Sequence, residues 1–129
     1  MTDATPSTAA APPRPASAPV LDIPLAVGDY EAVMEWMDAA IAAGSREYVC
    51  VAATHTVMAA REDPELRDAV LGGSLTVPDG QPLVWALHAY GHDAATRIYG
   101  PGLMERTCAR AARTGARIFL YGGRDQQAL

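Results

Sequence analysis

Ser74-Leu75-Thr76-Val77-Pro78-Asp79-Gly80-Gln81-Pro82-Leu83 decides the fold. Its first four residues read as a short strand. Pro78-Asp79-Gly80 stops that strand, and Pro82 opens a helix whose buried face is Leu83, Ala86, Leu87 and Tyr90. A strand passing through a three-residue turn directly into a helix is the basic unit of an α/β layer fold. The same alternation extends in both directions.

Upstream, Tyr48-Val49-Cys50-Val51-Ala52 is an apolar run of strand length, which predicts a strand covered on both faces. A helical stretch from Thr56 to Arg61 follows. Asp63-Pro64-Glu65 then restarts a helix with a cap, a first-turn proline and an acid near the positive end of the dipole, and Gly72-Gly73 ends it. Nearer the amino terminus, Val20 to Leu25 reads as one strand, restricted to an edge by Pro24. Asp29 is placed to cap a helix with Val33, Trp36, Met37, Ala40 and Ile41 on one face, and Gly44 to close it in the left-handed conformation.

Downstream, Arg97-Ile98-Tyr99 predicts a strand, Gly100-Pro101-Gly102 a turn, and Leu103 to Thr114 a helix with Met104, Thr107, Cys108 and Ala111 facing inward. Arg117 to Tyr121 reads as a final strand ending in Gly122-Gly123. The expected architecture is therefore α/β, with alternating strands and helices and a largely parallel, Rossmann-like sheet. Arg124 to Leu129 supplies only a turn or two of the next covering helix, so the sheet is expected to be incomplete at the C-terminus. No internal repeat is present.

Composition narrows the function. Residues 1–19 are rich in Ala, Pro, Ser and Thr and predict a disordered tail, with little apolar surface to offset the entropy of ordering. They lack the charged start and apolar run of a signal peptide, and no stretch approaches the roughly 20 apolar residues of a membrane span. A net charge of −5, with ten arginines and no lysine, argues against a nucleic-acid partner. Cys50 and Cys108 lack metal-site or redox spacing and read as small buried hydrophobes of a reducing cytoplasm. His88 and His92 stand four apart with Gly91 between them and no third ligand, so no metal site is expected.

The chemistry-bearing positions cluster after strands. An acid at Asp79, beyond the carboxyl end of a strand, is placed where α/β sheets bind ligands and can take a proton from an attacking hydroxyl. Asp-Gly is equally a common turn dipeptide, and Asp79 can also serve as a helix cap. Gly80 permits close approach of a substrate, and Gln81 adjoins it. Arg97 can grip a diphosphate through its planar fork or stand as a solvated surface residue. Gly122-Gly123 can form a phosphate-binding turn, without a full GxGxxG or P-loop pattern. His55, just after a buried strand, is better placed for a site than the other two histidines.

Four stretches in order, Val57-Met58-Ala59-Ala60-Arg61-Glu62-Asp63-Pro64-Glu65-Leu66, Val77-Pro78-Asp79-Gly80, Arg97-Ile98-Tyr99-Gly100-Pro101 and Ile118-Phe119-Leu120-Tyr121-Gly122-Gly123, resemble the TagA/WecG/CpsF family, glycosyltransferase family 26. Their joint order is more specific than any one of them. The resemblance covers nearly all of the foldable chain and about the first half of a family member, so residues 20–129 are expected to be the N-terminal part of a glycosyltransferase domain.

The resemblance implies transfer of a sugar such as N-acetylmannosamine, with inversion, from a UDP-sugar to a polyprenyl-diphosphate-linked acceptor. It implies no metal or other cofactor, and a place in cell-envelope, exopolysaccharide or teichoic-acid-like synthesis. Asp79 matches the catalytic base. Gly80, Gln81, Arg97, Gly100, Gly122 and Gly123 fall among the substrate-binding positions. Where family members often carry Thr-x-Asn this chain has Val51 and Ala53, which leaves Thr54 or His55 to contact substrate.

The family's later Pro-Lys-Gln-Glu-like segment and arginine-bearing membrane appendage are absent from this sequence, so nucleotide binding and lipid docking are both expected to suffer. Peripheral contact at the inner face of the plasma membrane is expected only through that missing half. The competing reading is a non-catalytic remnant that associates with a partner or a second copy through its uncovered sheet. A nucleotide-dependent oxidoreductase is disfavoured, because the first strand lacks the glycine fingerprint.

Overall fold

Residues Leu75–Pro78 form strand β4, buried at all four positions. The computed structural model describes residues 13–123. In chain order before β4 come β1 (Ser17–Val20), β2 (Ile23–Ala26), α1 (Tyr30–Ala42), β3 (Val49–Ala52), α2 (Thr54–Glu62) and α3 (Pro64–Leu71). After it come α4 (Gln81–Ala89) and α5 (Gly100–Thr114).

β4 pairs in parallel with β3, Val49 opposite Leu75 and Ala52 opposite Pro78. Successive side chains of a strand point to opposite faces. Leu75 and Val77 accordingly join Val33, Met34, Trp36, Ile98 and Leu103 in a core under α1 and α5. A second core gathers Ala52, Val57, Ala60, Val70, Leu83 and Leu87 from β3, α2, α3 and α4 with Ala18, Val20, Ile23 and Leu25 of the first two strands. β4 is the partition between these two cores.

The predicted single strand at Val20 to Leu25 is instead a hairpin. β1 and β2 pair antiparallel around Leu21 and Asp22, whose φ angles are 49° and 67°. Two consecutive left-handed residues are what the tight I′ hairpin turn requires. Val20 opposite Ile23 and Ala18 opposite Leu25 face inward, while Pro19 opposite Pro24 faces out. By the antiparallel alternation the two prolines occupy a non-hydrogen-bonded pair, so neither missing N–H interrupts this ladder. The folded part therefore starts earlier than expected: Ser17, Ala18 and Pro19 belong to β1, because Ala18 has a core to enter. The rest of the predicted tail, up to residue 12, lies outside the described residues.

Helix boundaries follow the local signals closely. Asp29 accepts from the Ala32 amide at 2.9 Å, and Asp63 accepts from the Glu65 and Leu66 amides at 3.0 and 3.1 Å. At the end of α1, Gly44 is left-handed, and the amides of Gly44 and Ser45 return to the carbonyls of Ile41 and Ala40. That pair of bonds is a Schellman cap.

Several expectations fail for one shared reason: among the described residues no second layer meets the positions concerned. Tyr48 and Val51 are exposed, so β3 is not covered on both faces. Ile41, Tyr90 and Met104 are exposed, and so is Cys108, while Cys50 is half-buried. Gly100-Pro101-Gly102 is the first turn of α5, with Pro101 in the position where a missing N–H costs nothing. Besides sharing the core of Val33, Met34 and Leu103, α5 meets α1 through charge: Arg110 bonds Asp38 at 2.7 Å and also Glu31.

The Rossmann-like sheet does not form among the described residues. There are two two-stranded sheets, one parallel and one antiparallel. A strand exists only through a ladder partner, however high its β-propensity. Ile98 makes a single bond, its amide to the Pro78 carbonyl at 2.8 Å, and Arg117 to Tyr121 is non-regular and exposed. Among the described residues no helix is long and apolar enough to cross a membrane.

Leucine is a poor occupant of a left-handed turn position. Replacing Leu21 with Asn and Asp22 with Gly should stabilise the protein by about 1 kcal/mol. Urea unfolding checks this, and an unchanged or lowered midpoint would show that Leu21 gains more from packing than it loses in strain.

Candidate active site

Beyond Pro78 the chain leaves β4 and must turn before α4. The Asp79 amide donates to the Ala52 carbonyl at 2.9 Å, so the parallel ladder effectively runs one residue past the strand. This places Asp79 beside the start of α2, and its side chain at the mouth of an open cleft. Ala53, Thr54, His55, Met58, Gly80, Arg97 and Tyr99 line the same cleft.

Both carboxylate oxygens of Asp79 are held. Oδ1 accepts from Arg97 Nη2 at 3.2 Å, and Oδ2 accepts from the Gly100 amide at 3.3 Å. Arg97 Nε donates to the Asp79 backbone carbonyl as well, so one guanidinium spans the main chain and side chain of the same residue. The guanidinium also lies 4.9 Å from the centre of the Tyr99 ring. Asp79 is 22% exposed and Arg97 47%. A carboxylate oxygen has two lone pairs. Each Asp79 oxygen thus keeps capacity for a substrate hydroxyl while its orientation is fixed by the protein.

Gly80 is required by contact, not by backbone twist. Its φ is −74°, open to any residue, but a Cβ there would lie 2.8 Å from Thr54 Oγ1 and 3.0 Å from the Thr54 amide nitrogen. The Asp79 turn and the start of α2 touch at this point. At Gly100 a Cβ would stand 3.3 Å from Val51 Cγ1 and 3.6 Å from Asp79 Oδ2.

Three helices, α2, α4 and α5, begin around this cleft. Their cap positions are Ala53, Gly80 and Tyr99, and none makes a side-chain cap bond. The two helices that begin elsewhere are both capped by aspartate. Helix starts without a side-chain acceptor present amide donors and the positive end of the dipole, as at α2 and α4. The first amide of α5, Gly100, is already taken by Asp79 Oδ2. The cleft is therefore suited to an anionic group, although the chain as a whole is acidic.

Most of the sequence-predicted positions come together here. Thr54 and His55 form the exposed first turn of α2, Gln81 the exposed first residue of α4, and Gly100 the first residue of α5. Gly122 and Gly123 do not join them. They follow the non-regular 117–121 segment with φ of 117° and 86°, away from the residues lining the cleft. His88 serves a local purpose, its Nε2 bonded to the Ala95 carbonyl at 2.7 Å. Tyr99 and Met58 lie within motifs read from the sequence but were not singled out as site residues, since neither carries a charge or a nucleophile.

The profile of the glycosyl transferase WecG/TagA/CpsF family matches residues 18–129. The chain belongs to this family. No curated protein and no solved structure matches it. A WecG/TagA/CpsF glycosyltransferase has a role in polysaccharide biosynthesis, and the match begins at Ala18, inside β1, so the hairpin is part of the family's domain.

In this WecG/TagA/CpsF chain, Gly80→Ala should cost about 1–3 kcal/mol of stability by pushing α2 off the Asp79 turn. Gly28→Ala is the comparison, since its Cβ would meet only Ala32 Cβ at 3.4 Å. That variant should stay within about 0.5 kcal/mol. Equal denaturation midpoints for the two variants would contradict the close contact at Gly80.

Proposed function

We propose that the cleft transfers a sugar, N-acetylmannosamine or a close analogue, from a UDP-sugar to a polyprenyl-diphosphate-linked acceptor, with inversion and at the cytoplasmic membrane face. The observation carrying this reading is the placement of Asp79. It is a carboxylate fixed through both oxygens just past the carboxyl end of the buried strand β4, beside the starts of α2, α4 and α5. Membership of the glycosyltransferase family supports it.

In the proposed step Asp79 accepts the proton of the acceptor hydroxyl as that oxygen attacks the anomeric carbon. The new glycosidic bond forms on the face opposite the departing UDP, and the bond to the diphosphate breaks with its electron pair going to UDP. The charge developing on the diphosphate is met by amide groups at the starts of α2 and α4 and by the exposed side of Arg97. No metal is assigned to this step. Thr54, His55 and Gln81 contact the sugar or the acceptor.

A second reading is favoured by one observation. Phe119 and Tyr121 are 87% and 94% exposed beside the exposed Ile118 and Leu120. An apolar run of this kind suits association with a partner or a second copy. A monodisperse monomer across micromolar to millimolar concentration in light scattering would count against it.

Asp79→Asn, made in the full-length protein, should lower the transfer rate about 10²–10⁴-fold with the fold retained. Turnover of radiolabelled UDP-sugar, alongside a thermal melt, gives the answer. A rate unchanged from the parent would remove Asp79 as the base.

A further inference from the structure

We infer that Tyr30, on helix α1, is a positioning residue for the Asp79 carboxylate; the inference rests on the proposed role of Asp79 as base. Both donors to that carboxylate come from one short segment, Arg97 to Gly100, which enters α5 at Gly100 and before that point is held by no strand ladder. Individual bonds hold it instead. The Ile98 amide donates to the Pro78 carbonyl at 2.8 Å, and the Gly100 amide donates to Asp79 Oδ2 at 3.3 Å. Between them, the Tyr99 amide donates to Tyr30 Oη at 2.9 Å. The Tyr30 hydroxyl proton lies toward the Tyr99 carbonyl at 3.5 Å, which is too long to contribute much.

Among the described residues, Tyr30 is the one side chain that accepts from the backbone of this segment from outside the cleft. It is itself pinned. Arg106 of α5 stacks on its ring at 4.4 Å, and a Cβ on Gly102 would stand 2.7 Å from Tyr30 Oη. Gly102 thus leaves the space that the hydroxyl occupies. The sequence separation between Tyr30 and Tyr99 is 69 residues, so this contact ties α1 to the segment that carries the donors of Asp79.

Tyr30→Phe in the full-length protein keeps the ring and its stack and removes only the acceptor. The transfer kcat should fall about tenfold, as expected for one lost hydrogen bond felt in the transition state. The KM for the UDP-sugar should stay within about twofold, and the melting temperature should move little. Gly102→Ala crowds the same hydroxyl and should reproduce the loss in the parent, yet add little in the Tyr30→Phe background. It also serves as the test should Tyr30→Phe fold poorly.

In a double-mutant cycle Tyr30→Phe should cost little once Asp79 is Asn, because the carboxylate it positions is gone. A Tyr30→Phe kcat within twofold of the parent, with Asp79→Asn impaired, overturns the Tyr30 inference alone. Independent, multiplying losses do the same. Full turnover by Asp79→Asn removes the base assignment and this inference with it.

Discussion

Burial of β4 on both faces is the constraint from which the remaining geometry follows. Leu75 and Val77 supply one core, and the opposite face of the strand abuts the other, so polar groups can leave the sheet only at its ends. At the carboxyl end the chain meets Pro78, which offers a carbonyl and no N–H, and that carbonyl takes the Ile98 amide. Asp79 is the first residue past the partition with room for a charged side chain. The segment held by Pro78 is the same one that supplies Arg97 and the Gly100 amide to Asp79.

The site is consequently an assembly of main-chain starts and turns with few charged side chains. Ala53, Gly80 and Tyr99 cannot or do not cap the helices that follow them, whereas Asp29 and Asp63 do so on helices elsewhere. This distribution is how an acidic chain could accept the proposed diphosphate donor. Amide dipoles carry no formal charge, so they can attract an anion locally while the surface elsewhere stays negative.

Local signals were the legible part of the fold. The aspartate caps, the Gly44 closure and the turn at Pro78-Asp79-Gly80 depend on neighbours a few residues away, and sequence shows those directly. Strand assignments at Arg97–Tyr99 and Arg117–Tyr121 depended on partners that the segments themselves do not name, and there the reading overreached. The hairpin was missed because Leu21 and Asp22 are not the Asn-Gly pair that normally announces such a turn. At the candidate site, the order of Asp79, Gly80, Arg97 and Gly100 along the chain pointed to positions that the fold brings side by side. Tyr30 was not singled out, since an aromatic residue just after a helix cap looks like any other core-edge residue, and its partner lies 69 positions away.

Both sides of the β4 partition rest on aliphatic cores, and only one of them adds ion pairs. Helices α2, α3 and α4 adhere through aliphatic contact, whereas α1 and α5, which share the core of Val33, Met34 and Leu103, are also joined by Arg110 reaching Glu31 and Asp38, both half-exposed acids. Ion pairs open to solvent weaken as salt shortens the Debye length, and aliphatic contact does not. Tyr30 lies on the side that carries the ion pairs. The protein therefore has a built-in unevenness toward its medium: a concentrated electrolyte weakens the Arg110 pairs between α1 and α5 and leaves the aliphatic contacts of both cores in place.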